Sequence, residues 1–299
     1  MFSIDNSKID LLVQWALEES NNVFIKHPDV VQKKLQQLDK DTVDHLHIIT
    51  DFDMTLTKYW SNGKRSTSSH GVLEGSRKMK ESSGKESLTL LYQHYYPIEI
   101  SATIPYKDKF KAMEEWWMKA HEIIVNTKLT HSDIKQMVNE MPVTFRPKLA
   151  EFLALALKRN IPTLVFSAGL ADVIEEILSR ANLLLDNMFI VSNRMRFDAS
   201  DVVVGFIEPL IHTFNKNEAV ITDTPHHPKI ENRRNVLLMG DSLGDLRMGD
   251  KVDCDVKLTV GFLNHDKELL LDQYAEAFDI LILEDSPMDF VIMLLSSLA

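Results

Sequence analysis

The segment Asp51-Phe52-Asp53 directly follows an apolar, β-branched run, Leu46 to Thr50. Two carboxylates this close repel each other unless a cation sits between them. An aspartate at 51 can attack phosphorus when a metal screens the incoming phosphate. An extended backbone points Asp53 the same way, where it can give a proton to a leaving oxygen and later take one from water; crowding and partial burial favour the raised pKa this role needs. Two further strand-like runs end in polar groups. Ser167-Ala168-Gly169 precedes a helix pattern whose N-terminus attracts anions, so Ser167 and the Ala168 amide can hold phosphate oxygens. Gly240-Asp241-Ser242 sets Asp241 at a strand end, with Asp245 four residues on; oxygen ligands of this kind suit magnesium (Mg2+), one held directly and the other through water or a hydrogen bond. Taken singly, each has an ordinary explanation as a turn, an N-cap or a solvated acid. Three such ends on one face favour chemistry. Spacing alone does not single out a lysine for the phosphate charge, since most lysines are solvated; Lys216, in Ile-His-Thr-Phe-Asn-Lys, is the choice.

These ends must be positioned by a sheet. From Arg146 onward, buried-type strands (161–166, 235–240) alternate with helices (148–159, 170–181). That rhythm predicts an α/β fold, a Rossmann-like doubly wound parallel sheet covered on both faces, with ligands at the strands' carboxyl ends. Residues 187–193 and 202–207 read as further strands, and residues 3–40 as helical. Between Asp53 and Arg146 the rhythm breaks: a polar stretch, 61–87, reads mostly as loop, followed by helices over 88–96, 107–125 and 128–141. The division expected is a core of 1–60 and 146–299 with a mainly helical cap, 61–145. A second polar loop is expected over 223–235.

The chain has 299 residues, 44% of them hydrophobic, ample for a sizeable core. A net charge of −11 argues against a nucleic-acid polymer as partner, though not against a small anion. The single cysteine, Cys254, allows no intrachain disulfide or thiolate cluster. With no signal-like or membrane-spanning run, a cytoplasmic protein with no membrane partner is expected.

With Asp51-x-Asp53-x-Thr55, Ser167, Lys216 and Gly240-Asp241-x-x-x-Asp245 in this order, the chain resembles the haloacid dehalogenase phosphatases. The stretches DFDMTLT, NGKR, YYPIE, FSAG, FNK and GDS.GDLRM resemble the cytosolic 5′-nucleotidase III family. The resemblance implies a magnesium-dependent hydrolase of nucleoside 5′-monophosphates that works as a monomer through an aspartyl-phosphate. Asp51 would be the nucleophile and Asp53 the acid/base. Asp51, the Asp53 carbonyl and Asp241 would bind the metal, with Asp245 behind them. Ser167, Ala168 and Lys216 would hold phosphate, Glu99 would meet the base edge, and Tyr59, His70 and Trp117 would surround the ring. Trp117 resembles the branch acting on 7-methylguanosine monophosphate, where the pyrimidine branch has tyrosine; an indole stacks well on a cationic methylated guanine. Ala120 stands where the pyrimidine branch carries serine, so any contact there is through backbone or methyl. Tolerance of CMP is expected. A broad pyrimidine 5′-nucleotidase and a non-catalytic phosphoacceptor are the alternatives. Without the resemblance, Trp117 would read as core of a helix stripe with Phe110, Met113, Ala120 and Ile124.

Overall fold

Runs of β-branched and aliphatic residues too short for helices build the centre of the molecule. The computed structural model describes residues 7–20, 22–101, 103–216, 227–250 and 254–299. Its main sheet has seven strands: β1 (Val23–Phe24), β2 (Leu46–Thr50), β3 (Thr163–Leu170), β4 (Met188–Asn193), β5 (Asn235–Gly240), β6 (Val256–Leu263) and β7 (Ile280–Leu283). They lie in the order β1-β7-β6-β5-β2-β3-β4. All neighbours are parallel except β1, which pairs antiparallel with β7 and covers that edge. Every residue of β2 and β5 is buried, as strands covered on both faces must be. Successive side chains alternate between two cores. Ile48, Val165 and Leu237 face a large core shared with Leu35, Phe152 and Ile174 of the flanking helices. Ile49, Leu164 and Leu238 face a second one closed by Met248 and Ile211.

The chain order reverses about β2, with β3 on one side and β5 on the other. A crevice opens at the carboxyl ends of strands at such a point. Thr50 lies in register with Met239 of β5 and Val165 of β3, so Asp51, Gly240 and Ser167 emerge together.

Above these ends stand helices Ser69–Gly75, Arg77–Glu81, Gly84–Ile100, Tyr106–Asn126 and His131–Glu140. The segment leaves and rejoins the core at one place, where Thr57 bridges antiparallel to Phe145. The polar stretch 61–87 is therefore largely helical, not loop. Its serines are N-caps: the Ser68 hydroxyl accepts from the Gly71 N–H at 3.1 Å and that of Ser76 from the Met79 N–H at 3.3 Å. Such caps satisfy the orphan donors of a first turn, so composition that suggests a loop marks short helices in series.

Two other expectations change. Val203–Phe206 pairs with Met195–Phe197 in a separate ribbon instead of joining the main sheet. The N-terminal stretch is helical over Lys8–Gln14 and Pro28–Asp41, with strand β1 between. The polar loop expected at 223–235 falls partly outside the described residues; His227–Ile230 forms a helical turn.

Candidate active site

The carboxylates and the lysine expected at the strand ends meet in one buried cluster. Lys216 Nζ lies 2.6 Å from Asp51 Oδ1 and 2.6 Å from Asp245 Oδ1. The other Asp245 oxygen accepts from the Ser242 N–H at 2.9 Å and its hydroxyl at 2.8 Å. Burial works against the charge of Lys216, but the carboxylates of Asp245 and Asp51 outweigh it and push its pKa up, so the ammonium is kept. Burial also pushes the Asp51 carboxyl up to about 7 against the pull of Lys216, with Asp245 and Asp53 adding to the rise. Asp241 is driven well above the usual carboxylate range by burial first, then by Asp245 and Asp51. The Thr55 hydroxyl reaches it only at 3.5 Å.

This donor set fits a hard divalent cation. Carboxylate oxygens of Asp51, Asp241 and Asp245 lie within 4.8 Å of one another, and one ammonium leaves the acids in excess. All-oxygen ligation of this kind suits magnesium or calcium. The Asp53 carboxylate stays outside the set. It turns to Ser69, accepting from the backbone N–H at 2.8 Å and from the hydroxyl at 2.7 Å. Burial raises its pKa, and the Ser69 hydrogen bonds pull back only in part.

Beside the acids, the Ser167 hydroxyl accepts from the Gly169 N–H at 3.0 Å, which curls the end of β3. A Cβ on Gly169 would sit 2.1 Å from the Ser69 hydroxyl, so this loop and the Asp53 holder need a glycine between them. A Cβ on Gly240 would likewise lie 2.4 Å from that of Asp245. Asn193 clamps the loop from behind, its amide donating to the carbonyls of Ala168, Gly169 and Ile211 at 2.9, 3.1 and 2.7 Å.

A cavity of about 350 Å3 opens from this end into the helical segment. Met54, next to Asp53, forms part of its floor, and His70, Trp117 and Ala120 are in its walls. The Trp117 indole N–H donates to the Ala168 carbonyl at 2.9 Å, which ties the wall to the loop after Ser167. His70 stands edge-on to Trp117, with ring centroids 6.2 Å apart.

The site residues expected from sequence thus fall into three groups. Asp51, Asp241, Asp245, Lys216 and Ser167 gather at the strand ends, with Asp53 beside them. Ala168, His70, Trp117 and Ala120 join them to the cavity. Glu99 and Tyr59 stand apart from the cavity lining. One Glu99 oxygen accepts from the Thr213 hydroxyl at 2.6 Å, and the Tyr59 ring stacks on His265 at 4.6 Å.

Three supporting residues escape sequence reasoning. Ser69 and Asn193 do because nothing local distinguishes them from other polar residues. Arg146 does because it reads as the end of the helical segment. Its buried guanidinium donates to the carbonyls of Met54, Thr55, Glu284 and Ser286 and to the Asn264 side chain, at 2.8–3.2 Å. It also lies 4.2 Å over the Phe262 ring, and so pins the loop that carries Asp53. A lone arginine at a strand-to-helix junction was the available signal.

The chain is similar to known nucleotidases in sequence and in fold. Residues 54–299 match the model of the pyrimidine 5′-nucleotidase (UMPH-1) family. The chain is 38% identical over 274 residues to the 7-methylguanosine phosphate-specific 5′-nucleotidase of Gallus gallus, covering 91% of this chain and 94% of that one. The Homo sapiens protein of the same name is 38% identical, with 90% of each chain covered. A crystal structure of cytosolic 5′-nucleotidase IIIB bound to cytidine superposes with a TM-score of 0.88 at 32% identity, over 96% of this chain and 97% of the other. Among the described residues no helix is long and apolar enough to cross a membrane. The chain belongs to the pyrimidine 5′-nucleotidase family, phosphoric monoester hydrolases built on the haloacid dehalogenase core, and is a 5′-nucleotidase.

Proposed function

We propose that this 5′-nucleotidase hydrolyses 7-methylguanosine 5′-monophosphate, with CMP as a second substrate, and does so as a magnesium-dependent cytoplasmic monomer. The observation that carries this reading is the indole of Trp117 in the wall of the cavity and on the Ala168 carbonyl. A nucleotide with its phosphate at Ser167 and Lys216 then has an aromatic face for its base. A cationic ring gains ~0.5–2 kcal/mol from such a face. All the groups needed come from one chain, which supports a monomer. The bridge between Thr57 and Phe145 supports a core of 1–60 and 146–299 with 61–145 as the cap.

The chemistry follows from the residues. Asp51 Oδ attacks phosphorus as the bond to the nucleoside oxygen breaks, giving an aspartyl-phosphate. Asp53, held by Ser69 and inclined by burial to keep its proton, protonates the departing oxygen. It then takes a proton from water, whose oxygen attacks phosphorus and frees phosphate and the Asp51 carboxylate. Lys216, Ser167 and the Ala168 amide hold the phosphate oxygens. Magnesium, held by Asp51, the Asp53 carbonyl and Asp241 with Asp245 behind, would supply charge to neutralise the phosphate when bound. Tyr59 and Glu99 are assigned to the base side. Charge interactions couple Glu99 to Arg65 and Tyr92, two residues of the cavity lining, which supports its assignment to that side.

The test is a panel of 5′-monophosphates with purified protein and magnesium. The expected order is 7-methylguanosine monophosphate and CMP ahead of UMP. Equal turnover of the methylated nucleotide and UMP would move the chain to a broad pyrimidine activity.

A further inference from the structure

The same cavity holds a carboxylate that neither the phosphate chemistry nor the base-edge assignment uses. Glu74, on helix Ser69–Gly75, lines it together with Leu88, Tyr92, Trp116, Trp117 and His70. Among the described residues its carboxylate has no ion pair and no hydrogen bond, although the side chain is half-buried. Two cations stand nearby without engaging it. Arg65, also in the lining, sits 5.3 Å over the Tyr59 ring, and Lys85 acts on Glu74 only at longer range. Burial raises the Glu74 pKa, Lys85 offsetting a part, which is the signature of a charge short of compensation.

A second group in the cavity points the same way. Nε2 of His70 is buried and has no hydrogen-bond partner among the described residues. Burial lowers the ring to about 4, with the Ala168 backbone pulling the other way. The ring is therefore neutral at pH 7. The Glu74 carboxylate, with a neutral His70 ring beside it, thus borders a space walled by indole and phenol rings. Its complement is a flat, donor-rich cation.

We infer that Glu74 is a specificity-determining residue that selects a positively charged, N-methylated purine ring over the same ring without the charge. The inference rests on the reading of the substrate above and adds to it the group that reads the charge.

The test compares 7-methylguanosine monophosphate with GMP, which differ by the methyl cation, in wild type and Glu74→Gln. The variant should lower the kcat/KM ratio of the methylated to the plain nucleotide about tenfold, through KM, tenfold corresponding to ~1.4 kcal/mol. An unchanged ratio in a variant with a wild-type thermal melt would overturn the role of Glu74 and leave the substrate reading standing. A wild type with no preference between the two would sink the substrate reading itself, and this inference with it. If Glu74→Gln melts early, the wild type answers alone. Raising salt from about 0.05 to about 0.5 M should narrow its preference, since a partly exposed charge pair is screened; a preference unmoved by salt overturns the inference.

Discussion

At the strand ends most side chains are held fast: Lys216 is shared by Asp51 and Asp245 at 2.6 Å, and Ser69 grips Asp53 by two hydrogen bonds. In the cavity, the Glu74 carboxylate stands without a partner among the described residues. The first arrangement holds these groups still, because rotation of Lys216, Asp245 or Asp53 would break a hydrogen bond in a buried site. The second stores unmet capacity for a ligand to satisfy. The two sets stand side by side and are joined by tethers from the helical segment, the Trp117 indole on Ala168 and Ser69 on Asp53 among them.

This contrast can be broken most severely at the nucleophile. Asp51→Asn removes the attacking oxygen, and turnover of every nucleotide should fall by roughly 10^4-fold or more, with the fold intact by circular dichroism. Steady-state rates within tenfold of wild type would exclude an aspartyl-phosphate on this residue. Next comes Arg146→Met. It leaves four carbonyls and the Asn264 oxygen short of a donor in the interior, so denaturant unfolding should report a loss of about 3–5 kcal/mol. The base preference of the surviving enzyme should stay put, because Arg146 lies on the chemical side of the divide.

Trp117→Ala works on the other side. The KM for 7-methylguanosine monophosphate should rise about tenfold, in line with the loss of a cation–aromatic contact, with a smaller change in kcat. An equal loss on every substrate would show that the indole acts through Ala168 alone.

The smallest effect concerns His121, buried in the helical segment and stacked on Phe206 at 3.6 Å. Burial, with some help from His70, lowers its pKa to about 3. The unfolded chain, with an ordinary histidine near 6.5, therefore binds a proton that the folded one refuses. Stability is full above pH 6.5 and falls as pH drops from there toward 3, by roughly 1 kcal/mol per pH unit. His121→Phe keeps the stack and removes the titration, so its unfolding free energy should depend less on pH between 6.5 and 5. Parallel pH profiles for variant and wild type would show that the ring does not titrate this way.

Much of the strand-end chemistry was legible because it is local. An apolar run followed by Asp51-Phe52-Asp53 states both the strand and what it delivers, and the same holds for β3 with Ser167 and β5 with Asp241. The cap was less legible. Serine-rich composition predicts loop, yet Ser68 and Ser76 begin helices, and the difference lies in hydrogen bonds to N–H groups three residues on. Strand propensity in 203–206 was real, but a ribbon with 195–197 satisfied it outside the sheet. Arg146, Asn193 and Ser69 were illegible for another reason: each acts on backbone or carboxylate groups far along the chain, and no local pattern records a partner 91 residues away, as for Arg146 and Thr55. Glu74 was invisible likewise, since what marks it is the absence of a partner within a cavity that only the folded chain makes.

The single bridge between Thr57 and Phe145 has a consequence for how such an enzyme can diversify. Everything between those two residues departs and returns through one doorway, so the sheet strands are built from chain outside it, and for the acids the excursion must keep Ser69, which holds Asp53. Its aromatic walls can be exchanged, lengthened or recharged by successive mutations while the phosphoryl-transfer apparatus underneath is inherited unaltered.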